Sequence, residues 1–477
     1  MNSRSASSNE QLPLVERLHP GFDAVDAFRR LAALPHVVFF DSAMRHPTLG
    51  RYSFVAADPV DWLDAPADGS DALQRLAGRL AELPTTSRPD LPPFQGGVAG
   101  MFGYELGRSL EKIPAAAIDE FQIPALAVGL YDVVVAFDHE QSAAWLISQG
   151  FPETDPQARC ERAAARLAEF RARLAGGSSC PNVRSPEPPA LTSSELAPKF
   201  AVPASVGLTS NFSADAYRRA VRQAIEYVHA GDVFQVNLAQ RLLHPAHTSA
   251  VDLYCRLRER NAAPFAGFLD GSDWQVASAS PERFVRVADC HVETRPIKGT
   301  RGRAHRPEAD LFSGDELRAS EKDRAENVMI VDLMRNDLSR TCRPESVRVS
   351  QLCGLETYAY VQHLVSVVEG TLRGDATPLD LLSTCFPGGS VTGAPKVRAM
   401  EIIAELEPTA RGAYCGSLGY IGVDGRMDTS ILIRTITAAR GWWQLPVGGG
   451  IVAQSNPHDE YDETWHKAAG LIRALAP

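Results

Sequence analysis

The chain has 477 residues, 44% of them hydrophobic and 22% charged, with a formal net charge of −10 at pH 7. That composition excludes a disordered chain and leaves room for two or three domains of roughly 100–200 residues each. The acidic balance argues against nucleic acid as a partner, and no apolar run approaches the roughly 20 residues that span a bilayer.

Residues 37–62 alternate around VVFFDSAMRHPTLGRYSFVAADP, as half-buried strands do. LQRLAGRLAEL (73–83) has helical spacing. FQGGVAGMFGYEL (94–106) is glycine-rich with aromatics, a pattern for a bent strand or close backbone contact. Residues 127–148 predict a hairpin of two buried strands, and 157–175 a helix rich in Ala and Arg. Pro, Ser and Gly dominate 176–211 without periodicity, so this stretch predicts an interdomain linker. Residues 213–232 predict a helix, with a serine cap at its start and a glycine at its end. Strands then lead to ETRPIKGTRGR (293–303), where Pro296 and Ile297 are extended and Gly299 and Thr300 predict a turn. One long helix is expected over 315–338, and two more begin near Pro395 and Asp459. No regular βαβ rhythm is present, which favours an α+β fold.

The eight cysteines, at 160, 180, 255, 290, 342, 353, 385 and 415, form no Cys-x-x-Cys pair. Free thiols of a reducing compartment are expected rather than a zinc site. The first ten residues carry no apolar signal segment, so the expectation is a frayed tail and a cytoplasmic location.

Several constellations carry chemistry. Asp323 and Glu326 are three apart and share a helix face. Glu460, Glu463 and Lys467 do the same on the C-terminal helix. Each is either a surface ion-pair ladder or, jointly, a Mg²⁺ site, since Mg²⁺ is commonly held by one or two protein carboxylates with ligand and water oxygens. FPGGSVTGAPKVRAMEII (386–403) is a glycine-rich turn feeding a helix, and amides at such a start bind anions. It lacks the Gly-Lys-Ser/Thr order of a nucleotide loop, so a carboxylate ligand fits better. Tyr414, Tyr420 and Arg434 precede the permissive backbone GGGIV (448–452). Arg434 pairs either with a ligand carboxylate or within a structural ion pair. His363, among apolar neighbours, is either a core histidine or a catalyst. Glu282 lies sixteen residues before Lys298, a spacing that suits adjacent strands of a hairpin. The pair is either a general acid beside an amine or a plain salt bridge.

Taken together, these segments closely resemble the chorismate-utilising enzymes. The resemblance runs through GDVFQVNLAQR (231–241), SASPERF (278–284), RPIKGTRGR (295–303), EKDRAENVMIVDLMRNDLSR (321–340), VQHLVS (361–366), CFPGGSVTGAPKVRAMEII (385–403), YCGSLGYIGVDGRMDTSILIRT (414–435) and GGGIVAQSNPHDEYDETWHKA (448–468). It is weaker at GRYSF (50–54) and FQGGVAGMFGYEL (94–106). PIKGT and QVNLAQR resemble the aminodeoxychorismate synthase component I branch. The anthranilate synthase component I branch typically has alanine for the lysine.

The resemblance implies two large antiparallel sheets packed as a sandwich with flanking helices. It implies an N-terminal domain over 1–175, similar to anthranilate synthase component I, and a chorismate-binding catalytic domain over 212–477. Lys298 is implied as the nucleophile, Glu282 as general acid, and His363 as a further catalytic residue. Thr300, Ser390, Tyr414, Tyr420, Arg434, Gly449, Gly450 and Lys467 are implied in substrate binding. Glu326 and Glu463 are implied as Mg²⁺ ligands, with Asp323 and Glu460 nearby. Ser42 and Ser53 fall near the family's tryptophan pocket. AYCGSLG (413–419) lacks the Gly-x-Cys-x-Gly elbow of glutaminases, so a separate glutamine amidotransferase is the expected ammonia source. The alternatives are anthranilate synthase component I, against which Lys298 stands, and a non-catalytic regulatory subunit. Joint retention of Lys298, Glu282, Glu326 and Glu463 stands against the latter.

Overall fold

The computed structural model describes residues 12–45, 49–83, 86–176, 189–202, 207–303, 307–357 and 361–476. Two large antiparallel sheets face one another, each covered on its outer side by helices. The layer between the sheets holds Val38 and Phe54 from one, and Met101, Leu418 and Tyr420 from the other. Phe28, Phe170, Leu471 and Tyr217 cover the first sheet, the Tyr217 hydroxyl donating to Leu238 O, while Ile330 covers the second. The architecture is the α+β sandwich expected.

At the centre of the first sheet, Val38–Asp41 pairs with Phe265–Asp270, which pairs with Trp274–Ser280, then Thr435–Ala439, Trp442–Ile451 and Gln235–Pro245. In the second, Arg283–Ala288 pairs with Met427–Ile431, then Ser417–Gly422, Gly97–Phe102 and Leu126–Tyr131. Strands from before residue 150 and after residue 211 therefore lie side by side in both sheets. The division at 176–211 does not separate two sheets or two cores. Part of that stretch is itself structural: Phe200–Ala201 and Thr209–Ser210 extend the first sheet, and Leu191, Leu196 and Leu208 are buried. Residues 177–188, including Cys180, and 203–206 lie outside the described part, as does the N-terminal tail through residue 11.

Two expectations about element boundaries are corrected. Residues 127–148 fall in three strands, not two. Leu126–Tyr131 belongs to the second sheet, and the chain crosses at the buried Asp132 into a Val133–Asp138/Ala143–Ser148 hairpin of the first. The helix expected over 315–338 is two, Pro307–Ala319 and Glu321–Ser339. Ser320 breaks them apart by capping the second, its hydroxyl accepting from the Asp323 amide. The helix after the linker spans Ala214–His229 and is capped by Ser213, burying Tyr217, Val221 and Ala224. No described helix is long and apolar enough to cross a membrane.

One topological feature positions the site. Trp274–Ser280 and Thr435–Ala439 pair in the first sheet, and their continuations, Arg283–Ala288 and Met427–Ile431, pair in the second. Two neighbouring strands thus cross together from sheet to sheet. Glu282 lies in one crossing and Arg434 in the other. The crossings are tied by Ala279 N donating to Arg434 O and Ile431 N donating to Glu282 O, both at 3.1 Å.

Candidate active site

A cavity of about 1200 Å³ opens at this double crossing. It is lined by Lys298, Glu282, His363, Ser390, Tyr414 and Arg434. Gly450, Lys467, Asp323, Glu326 and Glu463 face the same space. Most positions singled out from the sequence are therefore brought together.

Lys298 comes from the strand Ile297–Gly302, which pairs with Val361–Thr371. The register slips between Lys298 and Thr300, and Gly299 has φ of +73°. This is a β-bulge inside a strand, not the turn expected. A Cβ at Gly299 would lie 2.8 Å from Leu317 Cδ1 and 3.0 Å from Asp323 Cγ, so only glycine lets the strand lie against these helices. The Lys298 ammonium donates to Ser390 O at 3.3 Å and lies 3.9 Å from Glu326 Oε2.

Glu282 is buried and accepts from Ser390 Oγ at 2.7 Å. The hairpin Arg283–Ala288/His291–Thr294 sets Arg286 opposite Glu293, and that register continued sets Glu282 opposite Ile297. The Ile297 amide donates to the Glu282 carboxylate. The strand of Lys298 pairs with Val361–Thr371, so among the described residues Glu282 and Lys298 meet beyond the paired part of that hairpin rather than on adjacent strands of it. Burial pushes the Glu282 carboxyl up to about 7, against the opposing pull of Ser390 and Lys298. Ser390 thus contacts both groups, its hydroxyl the acid and its carbonyl the amine.

His363, opposite Thr300, is buried. Burial and the nearby Arg434 charge push its imidazole down to about 4, so the ring is neutral at pH 7. Arg434 has a left-handed backbone, φ 53°, and donates to Lys467 O at 2.6 Å. No described carboxylate ion-pairs with its guanidinium. Burial pulls the Arg434 pKa down, while Tyr414 and Glu463 act the other way. A half-buried cation at the cavity wall without a described anionic partner suits an anionic ligand. Burial holds the Tyr414 phenol well above its usual range, so it is neutral.

Opposite the amine stand the two acidic helices, Glu321–Ser339 and Pro457–Leu475. Burial pushes the Glu326 carboxyl up, with Lys298 and Lys322 opposing. Burial also works on Glu463, but Lys467 at 2.7 Å and the other lysines outweigh it and hold this carboxyl low. Glu460 is buried, bound by Ser455 and Lys322. A Cβ on Gly449 would lie 3.4 Å from Glu460 Oε2 and 3.7 Å from Glu463 Oε1, so this glycine faces both. Among the described residues, no three acidic, His or Cys side chains form a ready-made cage. The donors are all carboxylate oxygens on two facing helices, which fits a hard cation that completes its shell with ligand and water oxygens. Six acidic side chains and six lysines or arginines line the cavity, so a dianion gains little net attraction until a further cation joins it.

Some positions fall elsewhere. Tyr420 points between the sheets, its ring 4.6 Å from Phe94 and packed on Phe40 and Phe54. Strand alternation, not proximity in sequence to Tyr414, decides its side. The Thr300 side chain lies outside the described residues. Ser42 and Ser53 meet away from the cavity. The Ser42 amide donates to Ser53 Oγ at 3.1 Å, its hydroxyl donates to Tyr52 O, and Ser53 Oγ lies 2.7 Å from His139 Nε2. The start of the helix Lys396–Leu406 does not line the cavity, and Lys396 is taken up by Asp337 and Cys385 O. Two residues were missed. Lys322 stands between the acidic helices, and the signal was a lysine in a helix's first turn. Gln235, fully buried behind Gly450, has neither amide atom hydrogen-bonded among the described residues.

The sequence profile of the family described as chorismate binding enzyme matches residues 44–473. The chain is 40% identical over 447 residues to aminodeoxychorismate synthase component 1 of Salmonella typhimurium, covering 90% of each chain. It is 42% identical over 461 residues to anthranilate synthase component 1 of Thermus thermophilus, covering 94% of this chain and 95% of that one. Among solved structures it resembles anthranilate synthase component I of Streptococcus pneumoniae, at TM-score 0.74 and 30% identity. That likeness covers 90% of this chain and 93% of the other.

Proposed function

The chain belongs to the chorismate binding enzymes, and from that premise we propose that it is an aminodeoxychorismate synthase component I. It converts chorismate and ammonia to 4-amino-4-deoxychorismate and water, a step towards 4-aminobenzoate and folate. The single observation that carries this reading is the Lys298 amine in the cavity, beside a buried acid of pKa about 7.

Chorismate is a dianion. Arg434, with Tyr414 beside it, takes the enolpyruvyl carboxylate, and the ring carboxylate lies towards the acidic helices. Glu326 and Glu463 would hold Mg²⁺ there, with Asp323 and Glu460 nearby, and Mg²⁺ when bound supplies positive charge against the ring carboxylate. The Lys298 amine forms a bond to ring C2 as the C4–O bond breaks. Glu282 gives its proton to the departing hydroxyl, which leaves as water. Ammonia then bonds to C4, the diene shifts back, and the C2–lysine bond breaks. Neutral amine with protonated Glu282 holds the same number of protons as ammonium with carboxylate, so the reactive pair is a tautomer of the ion pair. Ser390, touching both groups, fixes their spacing. Neutral His363 orients the ring without adding charge.

The component 1 names of the relatives imply a second component. Here a glutamine amidotransferase delivers ammonia, in the cytoplasm. No step uses Ser42, Ser53 or Tyr420. Without the lysine adduct, ammonia would meet C2 directly, and loss of pyruvate would give anthranilate, the reaction named for the Thermus relative. The test is product chromatography with purified protein, chorismate, Mg²⁺ and excess ammonium at mildly alkaline pH, with and without aminodeoxychorismate lyase. Lyase-dependent 4-aminobenzoate is expected. Anthranilate from the unaltered chain would overturn the reading.

A further inference from the structure

Lys322 occupies the first turn of the helix Glu321–Ser339. That end of a helix carries partial positive charge and disfavours an ammonium. What offsets this lies on the other acidic helix. Lys322 Nζ donates at 3.1 Å to Glu460 Oε1, on a carboxylate only 3% exposed. The same oxygen takes the Ser455 hydroxyl at 2.6 Å, leaving Oε2 towards Gly449. The ammonium also faces Glu326 and Glu463, the two carboxylates assigned to the metal. Its side chain is 45% exposed, so the stem has a route to solvent.

We propose that Lys322 is a tethered counter-cation, neutralising the carboxylates of both helices in the metal-free protein and yielding them to the divalent ion. The inference rests on the reading of Glu326 and Glu463 as metal ligands. A single and a double positive charge held against the same carboxylates, of which Glu460 is buried, repel one another and compete for them. The lysine stem is flexible and its head strongly hydrated, so the lysine is the one that moves out. While it is in place it prevents the facing carboxylates from forcing the helices apart. Lys322 is a positioning residue, and its cost is a weaker metal affinity.

The test measures Mn²⁺ binding to the metal-free protein by electron paramagnetic resonance, without chorismate, so that no product enters the result. Lys322→Gln should bind Mn²⁺ about tenfold more tightly than the unaltered chain. Metal-free Lys322→Gln should also melt at a lower temperature, with Mn²⁺ restoring it. Lys322→Arg, which keeps the charge, should behave like the parent in both. Equal or weaker Mn²⁺ affinity in Lys322→Gln overturns the inference alone, provided Glu463→Gln abolishes binding. Binding unaffected by Glu463→Gln removes the ligand assignment and the inference with it.

Discussion

Lys298 and Glu282 share one proton in the reactive pair, and the Glu282 pKa of about 7 puts the loss of the second proton within reach of experiment. kcat/KM for chorismate should therefore rise as pH rises through about 7, where the doubly protonated pair gives up one proton and the one-proton pair forms. Glu282→Gln should lose roughly 10²–10⁴-fold in kcat and with it this limb of the profile. An unchanged acid limb would assign the proton to another group. The same shift bears on stability. A carboxyl raised from 4.5 to about 7 on folding binds more protons in the native state between those values. Its contribution is therefore present at low pH and lost as pH rises through about 7. Urea midpoints at pH 5 and pH 8 should diverge less in Glu282→Gln than in the parent. Lys298→Ala should lower aminodeoxychorismate formation on the order of 10³-fold or more by chromatographic assay. At this scale the sequence was a good guide to which side chains meet where a residue's chemistry is unusual for its setting, as with Lys298 or the pair of carboxylates on each helix. It misled at Tyr420, because a tyrosine is equally at home in a site and in an aromatic core.

The helices show why some boundaries are readable. Ser213 and Asn456 cap real helix starts, and each carries its signal in one side chain. Ser320 carries the same signal, yet inside a continuous helical pattern it reads as an interior residue, and the break was missed. The three strands of 127–148 were missed for a different reason. A strand leaving one sheet for another stays apolar throughout, so Asp132 alone marks the crossing. Gly299 belongs here too, since a positive φ is equally served by a turn or a bulge and only the partner strand tells them apart. Gly299→Ala should cost at least about 1 kcal/mol, because the new methyl meets Leu317 and Asp323 as well as a strained φ. It should also displace Lys298, so kcat should fall more than stability alone explains. Denaturant unfolding and steady-state assay on one preparation separate the two.

The whole molecule is less legible still, since pairing across 200 residues leaves no local mark. Composition at 176–211 suggests a boundary, whereas Val38–Asp41 pairs with Phe265–Asp270 and Gly97–Phe102 with Ser417–Gly422. A fragment of residues 212–477 therefore loses strand neighbours in both sheets. It should show no cooperative thermal unfolding, and co-expression with residues 1–211 should restore it. A cooperative transition in the fragment alone would show that the second stretch completes its own sheets. The paired crossing has a mechanical consequence. Glu282 and Arg434 ride on adjacent strands bolted together by two backbone hydrogen bonds, so they work like two teeth on one gear. Any rocking of one sheet against the other turns both, and the grip on the substrate's carboxylate changes in step with the delivery of the proton. Altering the aromatic bearing between the sheets, Phe94 under Tyr420, should then move KM and kcat together, from a place the substrate never touches.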